Sequence, residues 1–133
     1  MKQEYKELLL KYISTVMPYG IFCDIGLEYP LPPQRMFIDK LDGVLFDFYE
    51  DGKNYQVYLS EIKPYLRSMS SMTEEEKKEY ELLANHCMVT SIGFVHLESI
   101  SLIDWLNSHH FDYRALIDRG LAIEVTEENN PYK

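Results

Sequence analysis

Residues 43–60 read GVLFDFYEDGKNYQVYLS, two alternating stretches joined through Asp51-Gly52, and this pattern decides the fold. An Asp-Gly pair suits the positive φ angles of a tight two-residue turn. With those residues at the turn, Glu50 faces Lys53 and the register of the hairpin follows. Phe48 then lies opposite Tyr55, Phe46 opposite Val57 and Val44 opposite Leu59 on one face. The other face pairs Tyr49 with Asn54, Asp47 with Gln56 and Leu45 with Tyr58. The first face is expected to be core and the second half wet.

Upstream of the hairpin, residues 2–17 place Tyr5, Leu8, Leu9, Tyr12, Ile13, Val16 and Met17 along one helical face. Pro18 and Gly20 stop that helix. From Ile21 the period becomes two: Ile21, Cys23, Ile25 and Leu27 alternate with Phe22, Asp24 and Gly26, which predicts a strand. Residues 28–35 hold Pro30, Pro32 and Pro33 and read as an extended loop or sheet edge, and 36–38 as a short strand.

Downstream, Thr73 and Glu76 form a capping box opening a helix to about Asn85. Its thin apolar stripe, Tyr80, Leu83 and Ala84 with Cys87 at its end, places it on the surface, with Glu74 supporting Lys78 four residues on. Residues 88–96 carry a strand signal with Gly93 as a bulge. Ser101 with Asp104 caps a short helix, Asp112 caps a second one to Arg119, and Gly120 ends it. Leu102, Trp105, Leu106, Leu116, Ile117 and Leu121 are spaced to bury one continuous apolar surface across that pair, with Phe111 in the corner. Residues 121–125 read as a last strand, and residues 127–133 as a frayed tail. The expected class is α+β: a small, mostly antiparallel sheet or half-open barrel with an N-terminal helix, a central surface helix and a C-terminal short helix pair.

The chain has 133 residues, room for one globular domain, and 46% hydrophobic with 26% charged side chains is the composition of a folded protein. Thirteen basic against twenty-two acidic residues leave a net charge of -9, which repels nucleic-acid phosphates and anionic lipid. Direct nucleic-acid binding and membrane association are therefore not expected. Two cysteines, Cys23 and Cys87, show no metal-ligand spacing and point to a reducing, cytoplasmic setting. No apolar run near the amino terminus could serve as a signal-peptide core, and the uncharged stretch 82–97 is too short and polar to span a bilayer.

Three stretches carry a resemblance: Ile62-Lys63-Pro64-Tyr65-Leu66-Arg67, then Met69-Ser70-Ser71-Met72-Thr73-Glu74-Glu75-Glu76, then Asp104-Trp105-Leu106-Asn107-Ser108-His109-His110-Phe111-Asp112-Tyr113-Arg114 with Gly120-Leu121-Ala122. Together with Pro18-Tyr19-Gly20 the chain resembles a group of small proteins of gut Bacteroidetes genomes and their phages or mobile elements, a group with no known biochemistry. That group more often has proline where Ser68 stands and glycine where Ala115 stands. The resemblance implies a genomic setting, and no site residue follows from it.

His109, His110, Asp112 and Arg114 form the most chemistry-like cluster, since imidazoles beside a carboxylate can bind a metal or move protons. Consecutive histidines cannot share one helix face, and Asp112 stands where a helix needs its cap, so a structural role is the expectation. His86, Cys87 and His96 add conceivable zinc ligands at spacings that match no recognised site. Asp39, Asp42, Asp47, Glu50 and Asp51 read as a solvated acidic face. No serine elbow, activated cysteine or glycine-rich phosphate loop is present, so neither a catalytic residue nor a cofactor is expected. Eleven tyrosines against six phenylalanines are familiar at recognition surfaces. The leading expectation is a non-enzymatic accessory protein that binds another protein; an acidic DNA mimic and a small hydrolase using His109, His110 and Asp112 are the alternatives.

Overall fold

The computed structural model describes residues 2–39, 43–89 and 95–133. Its elements are α1 (Gln3–Val16), β1 (Cys23–Asp24), β2 (Arg35–Asp39), β3 (Gly43–Glu50), β4 (Lys53–Tyr58), β5 (Lys63–Leu66), α2 (Glu74–Val89), α3 (Val95–Ser108) and β6 (Ile123–Glu124). The class is α+β, with two small, mostly antiparallel sheets ordered β2-β3-β4 and β1-β5-β6, neither of them closed. Among the described residues no helix is long and apolar enough to cross a membrane.

The hairpin takes the register set by its turn. Asp51 and Gly52 have φ of 48° and 79°, and all pairs from Glu50↔Lys53 to Leu45↔Tyr58 form as the alternation dictates. Only the Val44–Leu59 pair is absent, because Leu59 turns into a 3-10 segment, Leu59–Glu61, and Val44 instead pairs Ile38 of β2. On the inner face Phe46 and Phe48 are fully buried in one cluster with Leu9, Tyr12, Ile13 and Val16 of α1. Those four helical positions lie three and four apart, so a single stripe of α1 meets the sheet.

The second sheet is assembled from distant parts of the chain. Its middle strand, β5, runs antiparallel to β1 and parallel to β6. A proline is rarely tolerated in a middle strand because it lacks a ladder donor. Here the Tyr65 amide donates to the Phe22 carbonyl on the β1 side, so the Pro64 nitrogen faces the other side, where β6 pairing begins only at Tyr65. The missing donor therefore costs no bond. The strand expected over 21–27 is shorter than its alternation: the Asp24 carboxylate accepts from the Gly26 amide, Gly26 adopts φ of 91°, and the chain leaves the ladder there.

Three expectations are corrected. Met88 and Val89 close α2, and Val95 and His96 open α3, so the ends of the strand expected over 88–96 are helical; 90–94, with Gly93, lie outside the described residues. A short apolar run does not by itself distinguish strand from helix. The C-terminal helix pair is one helix followed by turns: Ser101 lies inside α3, and 112–120 closes on itself through Gly120 N–H to Ile117 O at 3.0 Å and Leu121 N–H to Leu116 O at 2.9 Å. The apolar surface expected across that pair is divided: Leu116 and Leu121 join the α1 core, while Leu106, Phe111 and Met72 form a second cluster with Trp105 partly buried beside it. Within 127–133, the segment expected to fray, Tyr132 is tied to the second sheet. The Tyr132 hydroxyl donates to the Tyr65 carbonyl at 2.7 Å and accepts from the Phe22 amide at 3.1 Å.

Two backbone angles bear on Ser68 and Ala115. Ser68 has φ of -64°, the angle a proline ring imposes. Ala115 is exposed at φ of 57°, so glycine would relieve a left-handed conformation there.

Candidate functional site

The end of α3 builds the region that the sequence singled out. His110 occupies the left-handed position after the helix, at φ of 62°, where glycine is the usual choice. Its amide donates to the Asn107 carbonyl and the Phe111 amide to the Leu106 carbonyl, the paired bonds of a Schellman cap, with Phe111 packed on Leu106. The chain then pairs with the residue after β5: the Arg67 amide donates to His110 O and the Asp112 amide to Arg67 O, both at 2.8 Å. A strand-like clip thus ties α3 to the second sheet.

This geometry sends the four candidate residues in different directions. His109 Nδ1 lies 2.8 Å from the Trp105 carbonyl and must carry the proton there, since a carbonyl only accepts; its ring packs on Trp105 with centroids 4.4 Å apart. The His110 ring stacks on Tyr132 at 3.7 Å, and its Nδ1 is buried without a partner. Asp112 is buried and accepts from the Leu116 and Ile117 amides at 2.8 and 2.9 Å. The Arg114 guanidinium lies over the Tyr113 ring at 5.5 Å. Asp112 therefore caps a turn through its two carboxylate oxygens. Among the described residues no three His, Cys, Asp or Glu side chains gather where one ion could bind.

Beside the clip lies an open groove of about 740 Å³, lined by Arg67, Thr73, His109, His110, Asn130 and Tyr132 among others. Of its charged residues, Arg67, Glu127 and Lys133, the first is already engaged. Arg67 grips Glu76 through two bonds of 2.7 and 2.8 Å and lies 4.3 Å over the Phe111 ring. The same Glu76 closes the capping box, accepting from the Thr73 amide while its own amide donates to Thr73 Oγ1. The Arg67 hydrogen bonds hold the Glu76 carboxyl down at about 2. Glu74, expected to support Lys78, instead pairs with Lys77 at 3.3 Å on the exposed face.

Burial, followed by the charges of His109 and Arg67, pushes the His110 imidazole down to about 4. The folded value lies below the unfolded one, so the unfolded chain takes up the proton first. The resulting stability is complete above about pH 6.5 and is lost as the pH falls toward 4. Because the ring is partly exposed, solvent screening reduces the effect to about 1 kcal/mol between pH 7 and pH 5. Urea denaturation at the two pH values should show this loss in the parent chain. It should be absent from His110→Asn, a substitution that tolerates the left-handed backbone.

The meander carries what the sequence left unmarked. Asp47, expected in a solvated acidic face, has only 3% of its side chain exposed and bonds Arg35 at 3.2 Å and the Tyr49 hydroxyl at 3.2 Å. Arg35 also bonds the Tyr49 hydroxyl. Beyond that group, β2 exposes Met36 at 43%, Phe37 at 37% and Ile38 at 80%, and Tyr29 and Tyr49 are also exposed. The tyrosines themselves mark no surface, since most are half-buried and dispersed over both sheets and the helices. The usable signal was the composition of β2: three consecutive large apolar residues with charge only at the ends. Comparison with protein-family models, with curated proteins and with solved structures finds no match to this chain.

Proposed function

We propose that this chain is a non-enzymatic accessory protein that binds another protein by accepting a strand at its β2 edge. One observation carries the reading: β2 lies at the end of the order β2-β3-β4 and exposes three adjacent apolar side chains along that edge. Soluble proteins ordinarily blunt such an edge with proline, lysine, a bulge or a covering loop, and strand addition is a common use of one left open. The resemblance adds a mobile-element genome as the setting, and the buried, free Cys23 suits the cytoplasm.

A photo-crosslinking residue placed at Phe37 in living cells tests this, with the same residue at Asn54 on the opposite, polar edge as reference. The expected result is a protein adduct at position 37 and none at 54. Adducts at both positions, or at neither, would overturn strand addition at β2.

A further inference from the structure

The charge pattern of β2 names its partner. The strand reads Arg35-Met36-Phe37-Ile38-Asp39, a sequence that complements itself when reversed. Two copies paired antiparallel about a two-fold axis through Phe37 set Arg35 opposite Asp39 of the second chain, Met36 opposite Ile38, and Phe37 opposite its own counterpart. A single residue of slip takes Arg35 out of register with Asp39 and turns each side chain to the wrong face.

The ladder independently supplies the hydrogen bonds this axis needs. Glu50 and Lys53 close a two-residue turn, so they are a hydrogen-bonded pair, and along β3 the even-numbered residues bond toward β4. The odd-numbered residues of β3 must then bond toward β2, where they face Arg35, Phe37 and Asp39. Backbone groups alternate along a strand, which leaves the N–H and C=O of Met36 and Ile38 pointing outward. In a pair centred on Phe37 these are the groups that meet: Met36 bonds Ile38 of the second copy and Ile38 bonds Met36, four bonds in all. Phe37 and its counterpart become a non-hydrogen-bonded pair, the closer kind, with Cα atoms about 4.5 Å apart.

The apolar surface agrees with the same axis. Met36 and Ile38 share a sheet face with Phe46 and Val44, but Phe46 is fully buried under the core whereas Ile38 is 80% exposed. The core thus stops one strand short, and the second copy's Ile38 and Met36 would continue that face.

We infer that the occupant of the β2 edge is a second copy of this chain, joining two three-stranded meanders into one six-stranded sheet through a two-fold antiparallel pairing centred on Phe37. This rests on the strand-addition reading and names its partner. The contact is isologous and closes after two copies, so it does not propagate into a fibre.

The test is sedimentation equilibrium of the full chain at about 0.15 M salt, where screening over roughly 8 Å limits repulsion between the two acidic bodies. The mass should rise with concentration from 15.7 kDa to twice that value. Ile38→Lys and Asp39→Arg should each raise the midpoint concentration at least tenfold; the second sets Arg35 opposite an arginine. Phe37→Cys in a Cys87→Ser background should oxidise to a covalent dimer, since the paired Cα atoms lie within disulfide reach, and Asn54→Cys should not. A mass fixed at 15.7 kDa at all concentrations, or a dimer that neither substitution weakens and Phe37→Cys does not trap, overturns the pairing. A cellular crosslink from position 37 whose mass is not that of two chains overturns self-pairing while leaving strand addition standing. Absence of any adduct overturns both.

Discussion

Replacing Phe111 by alanine is expected to destabilise the fold by about 3 to 5 kcal/mol, the range for truncating a large aromatic in a core. Phe111 is fully buried at the corner where α3 meets the second sheet. Its ring stacks on Trp105 at 5.6 Å and receives the Arg67 guanidinium at 4.3 Å, and its backbone completes the cap of α3. Alanine would therefore open a cavity and loosen the Arg67–Glu76 pair together. Against a total stability of about 5 to 15 kcal/mol for a domain of this size, the variant stands near the limit of folding. Trp105 is the smaller determinant despite its size, since it is only partly buried and its indole N–H donates to Glu79 on the exposed side at 2.8 Å. Urea titrations followed by far-ultraviolet circular dichroism should rank Phe111→Ala well above Trp105→Phe. A loss below about 1 kcal/mol at Phe111 would show that the corner is not core.

The second large effect lies one residue on. Asp112→Ala should cost about 2 to 4 kcal/mol, because it strips the acceptor from two amides at once and the Leu116 amide is buried. Bonds to a charged acceptor contribute about 1.5 to 3 kcal/mol, and a buried donor left alone bears its full desolvation penalty. Asp112→Asn retains one acceptor oxygen and should recover about half of the loss. Equal losses in the two variants would mean that the carboxylate acts through charge rather than through these bonds.

The parts of the fold that could be read from the residues are those whose cause is local. The Asp51-Gly52 turn dictated a register, the stripe from Leu9 to Val16 dictated a helix face, and Thr73 with Glu76 dictated a helix start. The parts that could not be read depend on distant partners. Nothing local marks residues 63–66 as a middle strand, since Pro64 argues against one, and only the late start of β6 makes it acceptable. Tyr132 looked like part of a loose tail because nothing near it in sequence reveals the Phe22 amide and Tyr65 carbonyl that hold its hydroxyl. The candidate site divided in the same way. Asp112 was legible as a cap, which it is, although it serves a turn and no helix. Asp47 was misread because alternation placed it on the wet face, where Arg35 and Tyr49 enclose it. β2 drew little notice because a five-residue strand carries meaning only once it is known to be an edge.

The order of strands also sets a sequence in time. The meander joins neighbours in the chain through short connections, whereas β1 reaches β5 across about 40 residues and β5 reaches β6 across about 60. Loop closure costs more entropy for longer spans, and non-local pairing slows folding. The meander is therefore expected to form first, while the second sheet is still searching. Pulsed hydrogen exchange should find the β3 amides protected before those of β5; simultaneous protection would remove the distinction. During that interval β2 presents its open edge without the rest of the molecule around it, so chains made close together in space and time have their best opportunity to meet before either has finished folding.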